Sequence, residues 1–331
     1  MSPGSLGLGT YLGAPDAATD GAYQAAARAF TGAGGDVFDT AANYRGGRSE
    51  RALGPVLADL DRDSVFVSTK AGYLPMGDGV TVETPRAWFQ RVLLEPGVLA
   101  PEEVVDGCHA LTPRYLTHQL GVSLAALGLE RVDLFHLHNP EQQRPSLGPE
   151  GFRAVLTRAF EACEILAAEG RIGAYGCATW NGFRVGPEAP DHLSLEELLA
   201  TAEAVGGAGH HFRWIQLPLN LAMPEAFAKA TQSFGGRLIT PLEAARAAGL
   251  QVQVSASLMQ ARILAQLPQA PGAILPGCRT PAQGALQFAR SCPGVTTALC
   301  GMSSAAHVLE NLQILALPRA EPDALHALLG G

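Results

Sequence analysis

Short apolar runs alternate with longer segments of helical periodicity along almost the whole chain. The short runs have the length and the β-branched content of strands, whereas the longer segments repeat apolar residues every three or four positions. This alternation predicts βα units that build a parallel sheet. The eight predicted strands are Ser5–Thr10, Val37–Asp39, Ser64–Thr69, Val132–Leu137, Ile172–Cys177, Phe212–Leu217, Leu250–Val254 and Thr296–Cys300.

Helical segments follow the strands, and serine residues mark the start of several of them. Ser49 and Ser194 are predicted to cap helices, and Ser194 begins a capping box with Glu197. The predicted helices are Thr19–Phe30, a segment after Ser49, a segment with Leu116, Leu120, Leu124 and Leu127 on one face, Gly151–Glu169, a segment after Ser194, and a last one from about Ser304.

Eight βα units can close into a barrel or wind into an open sheet. An open dinucleotide-binding sheet would need a G-x-G-x-x-G turn between the first strand and a helix. Here Gly7 and Gly9 lie inside the strand, and no helix begins at Gly13 because Ala14-Pro15-Asp16 follows it. We therefore predict an α/β protein with a (β/α)8 TIM barrel, in which residues 1–331 form a single domain.

The segment between Gly72 and Leu111 interrupts this pattern and is rich in proline and glycine. In a barrel it would follow the third strand on the face where active sites lie, so it could be a lid. It could equally be an insertion that packs on the barrel mouth. Trp88, Phe89 and Tyr73 favour space for an aromatic or hydrophobic substrate, although they could also serve packing alone.

Composition narrows the function classes. The 331 residues are 47% hydrophobic and carry a formal net charge of -8, which disfavours nucleic acid as a partner. The six cysteines have no metal-finger spacing and are expected to be free thiols. Since the start of the chain lacks a signal-peptide pattern and no apolar run reaches membrane-spanning length, we expect a soluble, cytoplasmic protein without a membrane partner.

Four polar residues lie at or just after predicted strand ends: Asp39, Tyr44, Lys70 and His138. Strand ends converge at the mouth of a barrel, so these side chains are expected to meet. Carbonyl reduction needs an acid for the developing alkoxide. A buried ammonium, kept charged by a carboxylate, would lower the pKa of the Tyr44 phenol and make it that acid. His138 could orient the carbonyl oxygen.

Each of these residues could also have a purely structural role, but the lysine argues against that reading. Only two of the 23 Lys and Arg residues are lysines, Lys70 and Lys229. A compact amine can be buried and coupled to a phenol, and the larger guanidinium group of arginine does not meet this need. For His138, a hydrogen-bonded core histidine is the alternative.

The motifs around these residues resemble the aldo-keto reductase family, in order from Leu6 to about Leu315, which is nearly the whole chain. Each motif is weak alone, but together they are specific. They are Phe38-Asp39-Thr40-Ala41-Ala42-Asn43-Tyr44, Gly47-Arg48-Ser49-Glu50, Leu53-Gly54, Ser68-Thr69-Lys70, Leu127-Gly128-Leu129, the run from Val132 to Pro140, Gly170-Arg171-Ile172-Gly173, Gln216-x-Pro218-x-Asn220-Leu221 and Glu310-Asn311-Leu312.

The resemblance implies a (β/α)8 barrel that reduces an aldehyde or ketone to an alcohol with NADPH, or with NADH as the alternative. It gives the catalytic roles to Asp39, Tyr44, Lys70 and His138. The start of a helix near Ser304 independently suits a phosphate group. The implied cofactor contacts are Thr179, Gln216, Ser255, Gly301, Met302, Ser303, Ser304, His307, Glu310 and Asn311.

The chain departs from the family pattern at several cofactor positions. Ala178 and Thr179 stand where the family has a Ser-Asn pair, and Ser255 stands where an aromatic residue stacks on the nicotinamide. Gly301 and His307 occupy positions where basic residues commonly grip the 2'-phosphate. These departures weaken the expectation of NADP over NAD and leave the four catalytic positions untouched.

Two other functions stay open. His136 and His138 share one strand face and could bind Zn²⁺ in a barrel hydrolase, although three or four ligands are needed. A regulatory barrel that binds a nucleotide without turnover is the second alternative. The sequence determines neither the carbonyl substrate nor the oligomeric state.

Overall fold

The computed structural model describes residues 3–75, 84–266, 271–273 and 275–329. The strands are β1 (Leu6–Gly9), β2 (Val37–Asp39), β3 (Phe66–Ala71), β4 (Val132–His138), β5 (Ile172–Ala178), β6 (Phe212–Pro218), β7 (Gln232–Phe234), β8 (Arg237–Ile239), β9 (Gln251–Ser255) and β10 (Thr297–Gly301). Eight parallel strands close into a barrel, in the order β1-β10-β9-β6-β5-β4-β3-β2, and β7 and β8 form a separate antiparallel hairpin. The (β/α)8 prediction is confirmed.

Helices surround the barrel and connect its strands. Their apolar faces bury one continuous core against the outside of the sheet, including Phe30, Leu120 and Phe160. The helices are α1 (Ala17–Gly32), α2 (Arg48–Leu57), α3 (Pro85–Phe89), α4 (Pro113–Leu127), α5 (Arg144–Ala168), α6 (Leu195–Gly206), α7 (Glu225–Ala228), α8 (Pro241–Ala247), α9 (Pro281–Ser291), α10 (Ala305–Leu312) and α11 (Pro322–Leu328).

The inside of the barrel changes from apolar to polar along its axis, because alternate residues of each strand point inward. A buried apolar cluster that includes Val37, Phe66 and Trp214 fills the end where the strands begin. Buried polar side chains such as His136 and Gln253 lie farther along. The apolar layer closes one end of the barrel, so the polar groups are accessible only from the other end.

Most predicted strands agree with the structure within two residues, but the prediction for Ser49 is wrong. The helix α2 begins at Arg48, directly after Gly47 in a left-handed conformation (φ 82°). Ser49 lies inside the helix, and its Oγ donates a hydrogen bond to the carbonyl of Thr10 over 2.7 Å. Ser194 caps α6 as predicted, because its side chain accepts from the amide of Glu197. The second bond of the predicted capping box, from the Ser194 amide to the Glu197 carboxylate, does not form between these two described residues.

Several elements of the structure were not predicted, namely the β7–β8 hairpin and the helices α3, α7, α8, α9 and α11. The β7–β8 hairpin turns at Gly235 and Gly236, whose positive φ angles of 56° and 74° suit a tight hairpin turn. The Gly-Gly pair between short apolar runs was the available signal. The helix α11 follows the one from Ser304 that was predicted to be last.

The described parts of the segment between β3 and α4, residues 72–75 and 84–112, share a small apolar cluster with the start of α4. Residues 76–83 lie outside the described part, so the lid hypothesis is addressed only for the rest. Trp88 is buried with Leu93, Leu99 and Tyr115 in a cluster that Phe89 packs against. Of the two roles left open for these residues, Trp88 and Phe89 therefore serve packing.

The described residues contain no helix that is both long and apolar enough to cross a membrane. All six cysteines are free, and five of them are buried.

Candidate active site

Neighbouring strands place the predicted catalytic residues at one end of the barrel. Asp39 is the last residue of β2, Lys70 lies one residue before the end of β3, and His138 is the last residue of β4. Tyr44 follows β2 after a short loop and begins a 3-10 turn. The parallel register of β2, β3 and β4 brings these ends together although they are far apart in the chain.

Lys70 is the centre of the cluster, and its side chain is completely buried. Its Nζ donates to Asp39 Oδ2 over 2.6 Å and to the carbonyl of Thr40 over 2.9 Å. The third hydrogen bond, 3.3 Å long, goes to the phenolic oxygen of Tyr44. All three donors of the ammonium are therefore satisfied, and one of them holds the Tyr44 hydroxyl.

Asp39 is held from its other side by neutral donors. Its Oδ1 accepts from Ser68 Oγ over 2.8 Å and from Gln216 Nε2 over 3.0 Å. The same Gln216 nitrogen donates to Gln253 Oε1, which also contacts His136 Nε2 at 3.2 Å. This network fixes the position of the Asp39 carboxylate, and the carboxylate in turn fixes the Lys70 ammonium.

The electrostatics of Tyr44 differ from the expectation. Burial raises the pKa of the Tyr44 phenol, and the opposing effect of the Lys70 ammonium is smaller. Burial lowers the pKa of Lys70, but Asp39 and Tyr44 together raise it by more, so its net pKa lies above the ordinary value. The expectation of a lowered phenol pKa is therefore wrong. At neutral pH the phenol keeps its proton, and the lysine is charged.

His138 stands beside the Tyr44 ring, with 5.8 Å between ring centroids. Burial lowers its pKa well below the ordinary value, and the charge of Lys70 adds to this effect, so the imidazole is neutral. Its Nδ1 is buried and has no partner among the described residues. The carbonyl of His138 contacts His109 Nε2 at 2.7 Å, which ties the segment after β3 to this strand end.

A cavity of about 1060 Å³ opens above these residues. Asp39, Tyr44 and His138 line it. Of the ten predicted cofactor residues, Ser303 and Ser304 do not line the cavity; Ser304 instead occupies the cap position of α10. The eight that line it are Thr179, Gln216, Ser255, Gly301, Met302, His307, Glu310 and Asn311.

Some of these eight residues already have partners inside the protein. The Thr179 hydroxyl donates to the carbonyl of Gln216 over 3.3 Å. Glu310 Oε1 accepts from Thr280 over 2.7 Å. Asn311 is different, because its Oδ1 is buried without a partner in the described part of the chain. An acceptor left in this state at a cavity wall suits a ligand that brings a donor.

The sequence reasoning missed several residues that shape the cavity. Tyr11 and Trp180 line it, and the Tyr11 ring lies 5.0 Å from that of Tyr44. Asn139 also lines the cavity, and it donates to the Tyr73 hydroxyl over 3.2 Å. Tyr73, one of the three aromatic residues named from the sequence, lines the cavity as well and lies 5.0 Å from His138 between ring centroids. Arg262 is an exposed cation at the cavity wall. The only indication of this position in the sequence was that Arg262 follows the strand that ends at Ser255.

Glu141 anchors one wall of the cavity. Its buried Oε1 accepts from the consecutive amides of Trp180, Asn181 and Gly182 at 2.6, 3.2 and 3.4 Å. Burial raises the pKa of this carboxyl to about 7, although the amides act in the other direction. The loop that carries Trp180 after β5 is thereby tied to the loop after β4.

The arrangement of the described His, Cys, Asp and Glu side chains bears on the alternative of a metal centre. Within the ranges that the structure describes, no group of three or more His, Cys, Asp or Glu side chains is arranged to hold a metal ion. His136 uses Nε2 for Gln253 rather than pointing it at His138.

Comparison with known proteins assigns the family. The sequence model of the "Aldo/keto reductase family" matches residues 5–187, which is more than half of the chain. This chain belongs to the aldo/keto reductase family. The match includes β1 to β5 and all four predicted catalytic residues.

One curated relative and several solved structures are similar to this aldo/keto reductase. A D-threo-aldose 1-dehydrogenase of a Pseudomonas species is 32% identical over 144 residues, 44% of this chain and 40% of the relative. The match thus spans well under half the length of that relative.

The structural neighbours cover the whole barrel. An aldo/keto reductase from Klebsiella pneumoniae, in complex with NADP and acetate, superposes with a TM-score of 0.66 at 22% identity over 98% of this chain and 89% of its own. An aldo-keto reductase from Bacillus halodurans, in its holo form, has a TM-score of 0.64 at 18% identity over 98% and 91%. At these identities the likeness establishes the fold.

Proposed function

We propose that this protein catalyses the reversible reduction of an aldehyde or ketone to an alcohol, with NADPH as the hydride donor. The observation that carries the proposal is the Lys70 ammonium, which bonds to both Asp39 and the Tyr44 hydroxyl below a large cavity. Such a cluster keeps a protonated phenol in place next to a reacting carbonyl. Family membership supports the same activity.

The cavity fits a dinucleotide together with a small substrate. Its volume of about 1060 Å³ lies just above the range of roughly 300–1,000 Å³ that is typical of small-molecule sites. The unpartnered Asn311 oxygen and the cationic Arg262 lie on its wall and would serve an amine and a phosphate of such a ligand. The Klebsiella relative, crystallised with NADP, agrees with this assignment.

A bound reduced nicotinamide would supply the hydride to the carbonyl carbon. Tyr44 donates its proton to the carbonyl oxygen, so the product is an alcohol. Lys70 stabilises the phenolate that remains, and Asp39 keeps the ammonium charged in the buried site. The neutral His138 is in position to hydrogen-bond the carbonyl oxygen and orient it.

Turnover assays test this function directly. The purified protein is mixed with NADPH and a panel of aldehydes and ketones, and the loss of NADPH absorbance is followed; the reverse direction is assayed with NADP and alcohols, including aldoses because of the Pseudomonas relative. We expect carbonyl-dependent oxidation of NADPH. Tight NADPH binding without turnover on any substrate would contradict the proposal and favour a regulatory barrel.

Arg262 is expected to contribute to binding of the cofactor phosphates. Replacing it in Arg262→Met should weaken NADPH binding about tenfold or more, because a charge-assisted bond to phosphate is lost while the apolar stem is kept. Binding is measured by titration of the intrinsic fluorescence with NADPH and, separately, with NADH. Equal losses for both cofactors would assign Arg262 to the pyrophosphate, whereas a loss confined to NADPH would assign it to the 2'-phosphate.

The matched control is Arg237→Met, which removes an exposed arginine of the β8 strand away from the cavity. It should leave both affinities unchanged. Unaltered NADPH affinity in Arg262→Met would remove this residue from the proposed cofactor site.

A further inference from the structure

The backbone directly after Tyr44 has an unusual conformation. Arg45 has φ 53° and ψ 36°, in the left-handed region, and Gly46 and Gly47 continue it with φ values of 64° and 82°. Glycine adopts this conformation without crowding, whereas the Cβ of an arginine makes it unfavourable. A strained residue next to the proposed acid persists only where its surroundings hold it in place.

The side chain of Arg45 shows what holds it. It is completely buried, and its Nε donates to the carbonyl of Ala14 over 2.9 Å. Its Nη2 donates to the carbonyl of Asp16 over 3.1 Å and to Asp20 Oδ1 over 2.6 Å. The three acceptors belong to the loop between β1 and α1 and to the first turn of α1, so one guanidinium joins this loop to the Tyr44 turn.

The loop that Arg45 holds is part of the cavity wall. Its residues Thr10 to Leu12 line the cavity, and the Tyr11 ring meets the Tyr44 ring edge to face at 5.0 Å. Tyr23 of α1 donates to the carbonyl of Leu12 over 2.9 Å, and the Arg45 guanidinium lies over the Tyr23 ring at 5.5 Å. The loop, the first part of α1 and the Tyr44 turn therefore form one connected unit.

We propose that Arg45 is a positioning residue for Tyr44: its bonds to the β1–α1 loop set the orientation of the phenol and keep Tyr11 against it. This role rests on the proposed function, in which Tyr44 is the acid. A phenol that is displaced by a fraction of its hydrogen-bond distance from Lys70 or the carbonyl loses rate, because proton transfer depends steeply on alignment.

The test is Arg45→Gly, which removes the clamp and also the left-handed strain. Asp20 keeps Arg48 as an ion-pair partner in this variant, so no carboxylate is left without a cation. We expect kcat for carbonyl reduction to fall about ten- to a hundredfold, with nearly unchanged NADPH affinity. The melting temperature should fall as well, because a buried side chain and its hydrogen bonds are lost. Amide hydrogen exchange should become faster in residues 10–16 and 44–47 and nowhere else.

Two further variants complete the experiment. Asp20→Asn keeps the Arg45 side chain and weakens its ion pair, and it should lower kcat in the same direction by a smaller factor. Arg28→Ala is the matched control: it also breaks a 2.6 Å ion pair of α1, to Asp59, but both side chains are more than half exposed. It should change neither kcat nor the exchange pattern.

The outcomes separate this proposal from the proposed function. If the wild-type protein shows no turnover, the proposed function is contradicted. The exchange pattern of Arg45→Gly then decides by itself whether Arg45 holds the β1–α1 loop against the Tyr44 turn. Unchanged kcat in Arg45→Gly overturns the positioning role. A fall in kcat with faster exchange throughout the chain, rather than only in residues 10–16 and 44–47, also overturns it, because the role of Arg45 is then general stability.

Discussion

Tyr44→Phe is expected to reduce kcat for carbonyl reduction by about 10²- to 10⁴-fold, the range for loss of a general acid. The change deletes only the hydroxyl that Lys70 holds at 3.3 Å, and the ring remains to pack against Tyr11 and His138. NADPH affinity should change little, because the lost group acts only in the transition state. Steady-state kinetics and a fluorescence titration measure the two quantities.

Tyr11→Phe is the control for this experiment, since it removes a second tyrosine hydroxyl from the same cavity wall. It should keep kcat within a small factor of the wild type. An unchanged kcat in Tyr44→Phe would remove Tyr44 from the role of proton donor.

The wild-type reduction rate should be nearly constant around neutral pH and fall only in the alkaline range, because burial raises the pKa of Tyr44 and keeps the acid protonated.

Lys70→Met should affect both catalysis and stability. Without the ammonium, Asp39 is left as a buried carboxylate with only Ser68 and Gln216 as donors. Breaking a buried ion pair by removing one partner costs about 3–5 kcal/mol of unfolding free energy. Turnover should fall about 10²-fold or more, because the phenolate of Tyr44 loses the charge that stabilises it. Urea unfolding and the NADPH assay measure the two effects.

The only other lysine of the chain provides a matched control. Lys229 is exposed at the end of α7, so Lys229→Met should change neither the unfolding free energy nor kcat. The double variant Asp39→Asn with Lys70→Met should recover part of the lost stability, because no carboxylate then remains buried without its partner. A stable and fully active Lys70→Met protein would contradict the role proposed for this residue.

Much of the barrel could be predicted because its signals are local. The strand around Val37 and the one that leads into Lys70 are short apolar runs that end in a polar residue, and Ser194 marks its helix through a cap. The prediction for Ser49 was wrong because its hydroxyl donates a hydrogen bond to the carbonyl of Thr10, which lies 39 residues earlier in the chain. A long-range partner of this kind leaves no trace in the local pattern.

The sequence predicted which residue types form the candidate site, but it did not predict the hydrogen bonds that hold them. Residue types and strand ends indicated Asp39, Tyr44, Lys70 and His138, because parallel strands deliver their ends to one mouth. The network beneath them could not be predicted, since Gln216 and Gln253 are 37 residues apart in the chain and become neighbours only when β6 and β9 pair. The sequence left the role of Trp88 open between a substrate pocket and packing, because its aromatic character indicates burial without indicating which side of the segment is buried.

The sequence by itself determined the order of strands and helices and the residue types that stand at the barrel mouth, because periodicity and strand ends are properties of neighbouring residues. The tertiary structure alone decided the sign of the Tyr44 pKa shift, the position of Arg262 at the cavity and the bond of Arg45 to Asp20. Burial and charge pairing depend on which distant segments close over a group. Those distances are defined only once the barrel has formed.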